Sequence, residues 1–175
     1  MKAALLMSHG FNDWNVMPEH SYRIYEAAKI KGLPVQTYYH QNGHGGPPPI
    51  RLMNRWFTRY LHGVENGVEK DPKAWIVRED DKQENPTPYA DYPNPDAEIV
   101  TFNLTQGGNE VGGLTVAKNK KQGSESLIDD YTISGAELVR TTSSENRLLY
   151  VTPKLKQDVH ISGVPSVTIK IASNN

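Results

Sequence analysis

The sequence predicts two kinds of structure in succession, an α/β part over residues 1–70 and an all-β part over residues 71–175. In the first part, apolar or β-branched runs alternate with helical patterns across short connections, which is typical of a parallel sheet with helical crossovers. After about Val68 proline and charged residues become frequent, and short alternating runs replace the helices. That spacing is typical of an antiparallel β-sandwich.

The α/β part is predicted to contain two strands and two helices. They are a strand at 2–8, a helix within 17–32, a strand at 33–40 and a helix within 50–63. The first strand is a continuous apolar run, as expected for a central parallel strand that is covered on both faces. Pro18 suits the first helical turn and Gly32 the end of that helix. The residues predicted to face the sheet are Tyr22, Ile24, Tyr25, Ala27 and Ala28 on the first helix, and Ile50, Met53, Phe57, Tyr60 and Leu61 on the second.

The all-β part opens with a short strand and a proline-rich linker, and further short strands follow. Strands are expected within 73–80, 97–104, 146–155, 158–164 and 166–175. The last of these runs into the end of the sequence without a turn or cap. We therefore expect the chain to be a segment of a longer polypeptide.

The composition excludes several classes of function. Nineteen basic and 20 acidic residues give a net charge of −1 with no block of either sign, so a nucleic-acid partner is not expected. The absence of cysteine removes disulfides, thiolate metal sites and a cysteine nucleophile. No apolar run is long enough for a membrane span. The compartment, cytoplasmic or exported, and the oligomeric state, including a homo-oligomer, stay open.

Polar side chains follow both predicted strands at their carboxyl ends. The stretch "SHGFNDWNV" carries Asp13 after the first strand, and "NGHGGPP" carries His44 after the second. Because a helical crossover returns the chain to the same edge of a parallel sheet, these two side chains are expected to meet there. The alternative is that Asp13 caps a turn and that His44 is an ordinary loop residue.

The other histidines carry weaker signals. His40 and His44 are four residues apart, but the glycines and prolines around them forbid the helix that a metal-binding pair would need, and Gln41 stands where a metalloprotease has glutamate. Neither a metal nor a cofactor is therefore expected. The remaining histidines sit in or beside regular elements, where a structural role is favoured; they are His9, His20, His62 and His160.

An aspartate after one strand and a histidine after the next match the last two members of the α/β-hydrolase triad, whose order is Ser, Asp, His. The carboxylate would accept the imidazole Nδ1–H and stabilise the imidazolium that forms when the serine loses its proton. No G-x-S-x-G motif occurs in the 175 residues. The nucleophile and the oxyanion donors are therefore expected from an upstream part of the same polypeptide.

Three stretches, "HGFNDWNV", "HQNGHGG" and "LLYVTPKLKQDVHISGVPSVTIKIAS", resemble the bacterial Xaa-Pro dipeptidyl-peptidase family, which is allied to cocaine esterase and the glutaryl acylases. The resemblance implies the C-terminal portion of an α/β-hydrolase catalytic domain over 1–70, followed by a linker and the start of a jelly-roll β-domain over 71–175. It implies that Asp13 and His44 are the triad acid and base. It also implies that Asn15 binds a substrate backbone carbonyl and that Val16 lines the proline pocket.

The expected function is therefore that of a segment of a serine exopeptidase that releases N-terminal Xaa-Pro dipeptides, with proline-containing peptides as substrates. The dipeptidyl-peptidase IV type shares D-x-N-V, but its catalytic domain ends shortly after the histidine, whereas about 130 residues follow His44 here. One alternative is an esterase or β-lactam acylase of the same superfamily. Another is a non-catalytic, carbohydrate-binding β-module, for which Trp75, Tyr89 and Tyr92 could supply an aromatic platform.

Overall fold

The computed structural model describes residues 3–118 and 123–174. The chain forms two compact units, Met1–Ala97 with Ser162–Asn175 and Glu98–Ile161. The first unit contains a four-stranded sheet and two helices, and the second contains a three-stranded sheet and one short helix. The fold is therefore mixed α/β with two sheets.

The first unit has the alternating order that the sequence predicts. Its elements are β1 (Leu5–Gly10), α1 (Pro18–Ile30), β2 (Val35–His40), α2 (Ile50–Tyr60), a 3₁₀ turn (Val68–Lys70), β3 (Ala74–Ile76) and β4 (Thr87–Tyr89). The strands lie in the order β1-β2-β3-β4, the first three parallel and β4 antiparallel to β3. The predicted strand at 73–80 thus contributes to the same sheet as the two strands before it.

β2 is the buried centre of this sheet, and all six of its residues are buried. On one face Tyr39 packs with Tyr25 and Ala28 of α1, and on the other Tyr38 packs with Leu52 of α2. Because neighbouring strand residues point to opposite faces, α1 and α2 cover the two sides of the sheet. β1, in contrast, has one partner strand among the described residues and is half exposed, so the prediction of a central, fully covered first strand is wrong for this chain.

The predicted inward faces of the helices are partly wrong. α1 buries Tyr25 and Ala28 as predicted, but Ile24 and Ala27 are exposed. α2 buries a different stripe, formed by Leu52 and Trp56, and leaves exposed three of the residues predicted to face the sheet, Ile50, Phe57 and Leu61. Apolar residues occupy both sides of this short helix, and the side that carries Leu52 is the one that packs with Tyr38 of the sheet.

The second unit contains β5 (Asn103–Thr105), β6 (Gly112–Thr115), α3 (Gly135–Arg140) and β7 (Tyr150–Val151). β5 and β6 are antiparallel, and β6 and β7 are parallel. α3 was not predicted from sequence, although Ser134 and Glu137 form a capping box at its start. The strands predicted within 97–104 and 146–155 are observed as the much shorter β5 and β7, which contain only residues that pair with β6.

The strands predicted at 158–164 and 166–175 do not form among the described residues, which run to 174. Their alternating isoleucines are left largely exposed, because no sheet face covers Ile161, Ile169 or Ile171. Alternation supplies one apolar face for a strand, but pairing also needs a neighbouring strand edge. The β-sandwich remains a prediction.

Within residues 3–118 and 123–174, no helix is both long and apolar enough to cross a lipid bilayer.

Candidate active site

Two loops leave the sheet side by side at the carboxyl ends of β1 and β2. The register of the two strands places Gly10 opposite His40, so both loops begin at the same level. Phe11 N–H donates to the His40 carbonyl at 2.7 Å, and Asn12 N–H donates to the Asn42 carbonyl at 3.2 Å. A Cβ atom on Gly10 would overlap the carbonyl oxygens of Asn42 and Gly43. The close approach of the loops therefore depends on glycine at position 10.

The Asp13 carboxylate lies at the centre of the site, where it accepts three hydrogen bonds and contacts a second imidazole. Oδ1 accepts from the backbone N–H groups of Asn15 at 2.9 Å and Val16 at 3.0 Å. Oδ2 lies 2.9 Å from Nδ1 of His44 and 3.2 Å from Nε2 of His9. Only 3% of the Asp13 side chain is exposed. The hydrogen bond from Val16, with those from His44 and Asn15, holds the pKa of Asp13 at about 2 despite its burial.

His44 is held on one side and open on the other. Its Nδ1 faces a carboxylate oxygen that can only accept, so the hydrogen lies on Nδ1 and the lone pair on Nε2. The side chain is 63% exposed. An imidazole oriented by a buried carboxylate and open to solvent has the geometry of a general base. The structure thus brings together the two residues that the sequence singles out.

Asn15 and Val16 lie on the turn that Asp13 caps, with their backbone N–H groups turned towards the carboxylate. Both residues are exposed, and Trp14 between Asp13 and Asn15 is 88% exposed. This places both residues beside the Asp13–His44 pair. Their expected contacts with substrate remain predictions.

His9 is the residue of this site that sequence reasoning missed. We interpreted it as structural, but its ring lies between Asp13, the carbonyl of Val16 at 2.8 Å and the hydroxyl of Ser21 at 2.5 Å. Its only signal in the sequence is its place at the end of a predicted strand, four residues before Asp13. No periodicity predicts a contact across an irregular turn.

His40 supports the second loop from below and is completely buried. Burial lowers the pKa of this histidine. Gly46 has a φ of +114°, and a Cβ there would lie 2.7 Å from Nε2 of His40, so the loop packs directly on the ring. The Ser8 hydroxyl donates to the Gly46 carbonyl and ties the loop to β1. Among the residues described, no group of three or more His, Cys, Asp or Glu side chains is arranged to hold a metal ion.

The three aromatic residues considered for a carbohydrate platform are not displayed together. Tyr92 is 6% exposed and packs against Tyr39 at a ring distance of 4.9 Å. Trp75 is half-buried, with the guanidinium of Arg51 over its ring at 5.5 Å. Tyr92 therefore serves the core and is unavailable to a sugar ring.

The low pKa of Asp13 predicts a pH dependence of stability. Its ordinary pKa is 3.8, and a carboxyl whose pKa is depressed in the folded state stabilises the fold above the ordinary value. That stabilisation is lost as the pH falls from about 4 to about 2. We expect the free energy of unfolding of the wild-type chain to fall more over this interval than that of Asp13→Asn, which cannot titrate at this position.

The measurement is urea unfolding at several pH values, followed by tryptophan fluorescence. All three tryptophans, Trp14, Trp56 and Trp75, lie in the first unit and report on it. Asp96→Asn, at an exposed carboxylate, is the matched control and should keep the wild-type slope. Parallel pH profiles for wild type and Asp13→Asn would contradict the prediction.

Comparison with known proteins adds the family context. Residues 66–175 match the sequence profile described as the X-Pro dipeptidyl-peptidase C-terminal non-catalytic domain. A Rhodopirellula baltica protein named "Putative Xaa-Pro dipeptidyl-peptidase" is 49% identical over 98% of this chain and 28% of its own length. One of the same name from Bacillus anthracis is 32% identical over 97% of this chain and 28% of its own. The "Xaa-Pro dipeptidyl-peptidase" of Lacticaseibacillus rhamnosus is 27% identical over 98% of this chain and 23% of its own length. The chain thus spans about a quarter of the length of these relatives, and Asp13 and His44 precede the residues matched by the profile.

Proposed function

Because the chain belongs to the Xaa-Pro dipeptidyl-peptidase family, we propose that it is a segment of a serine exopeptidase and supplies the Asp and the His of the catalytic triad. The observation that carries the proposal is the 2.9 Å contact between Oδ2 of the buried Asp13 and Nδ1 of the exposed His44. The pair stands at the carboxyl edge of a parallel sheet, where open α/β sheets place their ligands.

In the proposed mechanism, Asp13 keeps the hydrogen of His44 on Nδ1, so Nε2 takes the proton of a serine hydroxyl. The serine oxygen attacks the carbonyl carbon of the bond that follows proline. The His44 imidazolium then gives its proton to the departing amine, and an acyl-enzyme remains, which water hydrolyses by the same proton route. The serine and the oxyanion donors would come from an upstream part of the polypeptide, since the 175 residues contain no G-x-S-x-G.

Two further features support the α/β-hydrolase assignment of residues 1–70. β1 and β2 are parallel, and β2 is covered by a helix on each face, as in that architecture. β1 presents a half-exposed edge at which a further parallel strand could pair. We propose that residues 71–175 form the linker and the beginning of a jelly-roll domain, on the strength of the family profile over 66–175.

The substrate part of the proposal rests on Asn15 and Val16. Both side chains are exposed on the turn that Asp13 caps, next to His44. The amide of Asn15 is suited to donate to a backbone carbonyl of the peptide, and Val16 to contact the ring of a proline. Proline-containing peptides are therefore the proposed substrates, with an ester or amide of another kind as the alternative within the superfamily.

The test compares the full polypeptide with the 175-residue chain. The full polypeptide should hydrolyse an Xaa-Pro anilide and be inactivated by a serine-directed inhibitor, whereas the chain alone should do neither, because proximity without a nucleophile yields no acyl-enzyme. Inhibitor-sensitive turnover by the 175 residues alone would contradict the proposal. Failure of the full polypeptide to cleave any Xaa-Pro substrate would contradict it too.

Asn15→Ala should distinguish a peptidase from an esterase. If Asn15 binds the peptide carbonyl, its loss removes one hydrogen bond, worth about 0.5–1.5 kcal/mol, and kcat/KM for an Xaa-Pro anilide falls by the corresponding factor of roughly 2 to 13. Hydrolysis of a small activated aryl ester should be largely spared. Steady-state kinetics on the two substrates measure the difference, with Asn85→Ala, at an exposed asparagine outside the two loops, as the control. Equal losses on both substrates would mean that Asn15 supports the pair and does not bind the peptide.

A further inference from the structure

A second imidazole contacts the carboxylate oxygen that orients His44. Nε2 of His9 lies 3.2 Å from Oδ2 of Asp13, and Nδ1 of His44 lies 2.9 Å from the same atom. The exposures of the two rings are opposite, since 9% of the His9 side chain and 63% of the His44 side chain are exposed. His44 is placed to meet a substrate, whereas His9 is enclosed.

The partners of His9 fix its tautomer. Nε2 faces two acceptors, Oδ2 of Asp13 and the Val16 carbonyl oxygen at 2.8 Å, so it carries the hydrogen. Nδ1 lies 2.5 Å from the Ser21 hydroxyl, which can donate to it. With the hydrogen on Nε2, His9 can donate to the Val16 carbonyl and accept from Ser21, whereas His44 carries its hydrogen on Nδ1. The two rings contact one oxygen in opposite tautomers.

The same contacts bind the turn between Asp13 and α1. The backbone N–H of Val16 donates to Oδ1 of Asp13, and the Val16 carbonyl oxygen lies against Nε2 of His9. Both backbone polar groups of Val16 are therefore held by side chains of this site. Trp14 and Met17 on either side are 88% and 56% exposed, so burial of side chains contributes little to fixing the turn.

We propose that His9 is a positioning residue of the triad, which holds Oδ2 of Asp13 in line with His44 and fixes the turn that presents Asn15 and Val16. The inference rests on the proposed function. Without the His9 ring, Oδ2 of Asp13 loses its contact on the side away from His44, and the Val16 carbonyl loses the N–H that faces it. His9 transfers no proton to the substrate in this scheme. It acts through Asp13.

The first test reads the tautomers directly and needs no activity. Long-range ¹H–¹⁵N correlation spectra of the chain near neutral pH should show His9 with hydrogen on Nε2 and His44 with hydrogen on Nδ1. In His9→Leu, the Nδ1 proton resonance of His44 should move, because the shared oxygen has lost its contact with the other ring. A wild-type His9 with hydrogen on Nδ1 would overturn the inference, whether or not the full polypeptide proves to be a peptidase.

The second test measures kcat in the full polypeptide. His9→Leu should lower kcat by a factor of roughly 2 to 13, the range for loss of one ordinary hydrogen bond, here the bond to the Val16 carbonyl. The loss should be similar for an Xaa-Pro anilide and an aryl ester, because both depend on Asp13. His9→Gln should recover most of the activity, since its amide NH₂ can donate to Oδ2 and to the Val16 carbonyl. His62→Leu, at an exposed histidine beyond α2, is the matched control.

The outcomes separate the inference from the function on which it rests. Equal losses in His9→Leu and His9→Gln would mean that ring shape and not the donor matters, and would overturn the inference. Full activity in His9→Leu would overturn it as well. Should His9→Leu fail to fold, the tautomer of His9 in the wild-type chain decides, and a ring with its hydrogen on Nδ1 would overturn the inference. Activity that survives in Asp13→Asn would instead contradict the triad itself.

Discussion

If the proposed triad is correct, Asp13→Asn should lower kcat of the full polypeptide by about four orders of magnitude, the loss that the same change causes in a serine protease triad. The arrangement at Asp13 explains why the amide is so damaging here. Oδ1 accepts from the N–H groups of Asn15 and Val16, so the amide oxygen of Asn would take that position. Its NH₂ group would then occupy the position of Oδ2 and donate to Nδ1 of His44. The hydrogen of His44 would move to Nε2, the atom that must accept the serine proton.

The measurement is kcat for an Xaa-Pro anilide, with the His44 tautomer followed by NMR in the same variant. Asp96→Asn, an exposed aspartate of the first unit, serves as the control and should keep wild-type activity. A loss of less than tenfold in Asp13→Asn, or a His44 ring that keeps its hydrogen on Nδ1, would contradict the proposed role of Asp13.

Gly10→Ala should destabilise the first unit by about 3 kcal/mol, the upper end of the usual cost of overpacking. The added methyl group would overlap the backbone carbonyls of Asn42 and Gly43, which cannot move aside as a flexible side chain can. The loop of Asp13 and the loop of His44 would have to separate, with loss of the hydrogen bond between Asn12 and Asn42.

Urea unfolding followed by tryptophan fluorescence measures this change in the first unit. Gly43→Ala is the control from the facing loop, because a Cβ there would meet its nearest neighbour, the Asn12 carbonyl oxygen, at an ordinary 3.5 Å. It should leave the free energy of unfolding within about 0.5 kcal/mol of wild type, as for most surface substitutions. An equally mild effect of Gly10→Ala would show that the loops are free to separate.

That Asp13 and His44 lie at the same edge of the sheet could be predicted from topology. Two parallel strands joined by a helical crossover end at one edge, so the loops that follow them begin side by side, whereas the contact itself also needs the close approach that Gly10 allows. The contact of His9 with Asp13 could not be predicted in this way. It depends on how the irregular turn between Asp13 and Pro18 folds back on the end of β1, and no period in the sequence describes that path.

The predictions of the fold that were wrong also have local causes. α2 buries the side on which Leu52 packs with Tyr38 of β2, and periodicity alone could not choose between two apolar sides. The start of α3 could be recognised from its capping box, formed by Ser134 and Glu137, but the short alternating runs around it favour strands. The alternating residues at 166–174 could be recognised as apolar on one side, but alternation does not supply the neighbouring strand that they would need.

The half-exposed position of β1 at the edge of the sheet makes the isolated chain prone to aggregation. Leu5, Leu6 and Met7 stand on a strand that has one partner among the described residues. A row of backbone donors and acceptors beside apolar side chains is a template on which a second molecule can add a strand, and natural proteins shield such rows against aggregation. Concentrated solutions of the isolated chain should therefore form β-rich aggregates that begin at Leu5–Gly10, and a Lys substitution at Leu6 should delay them.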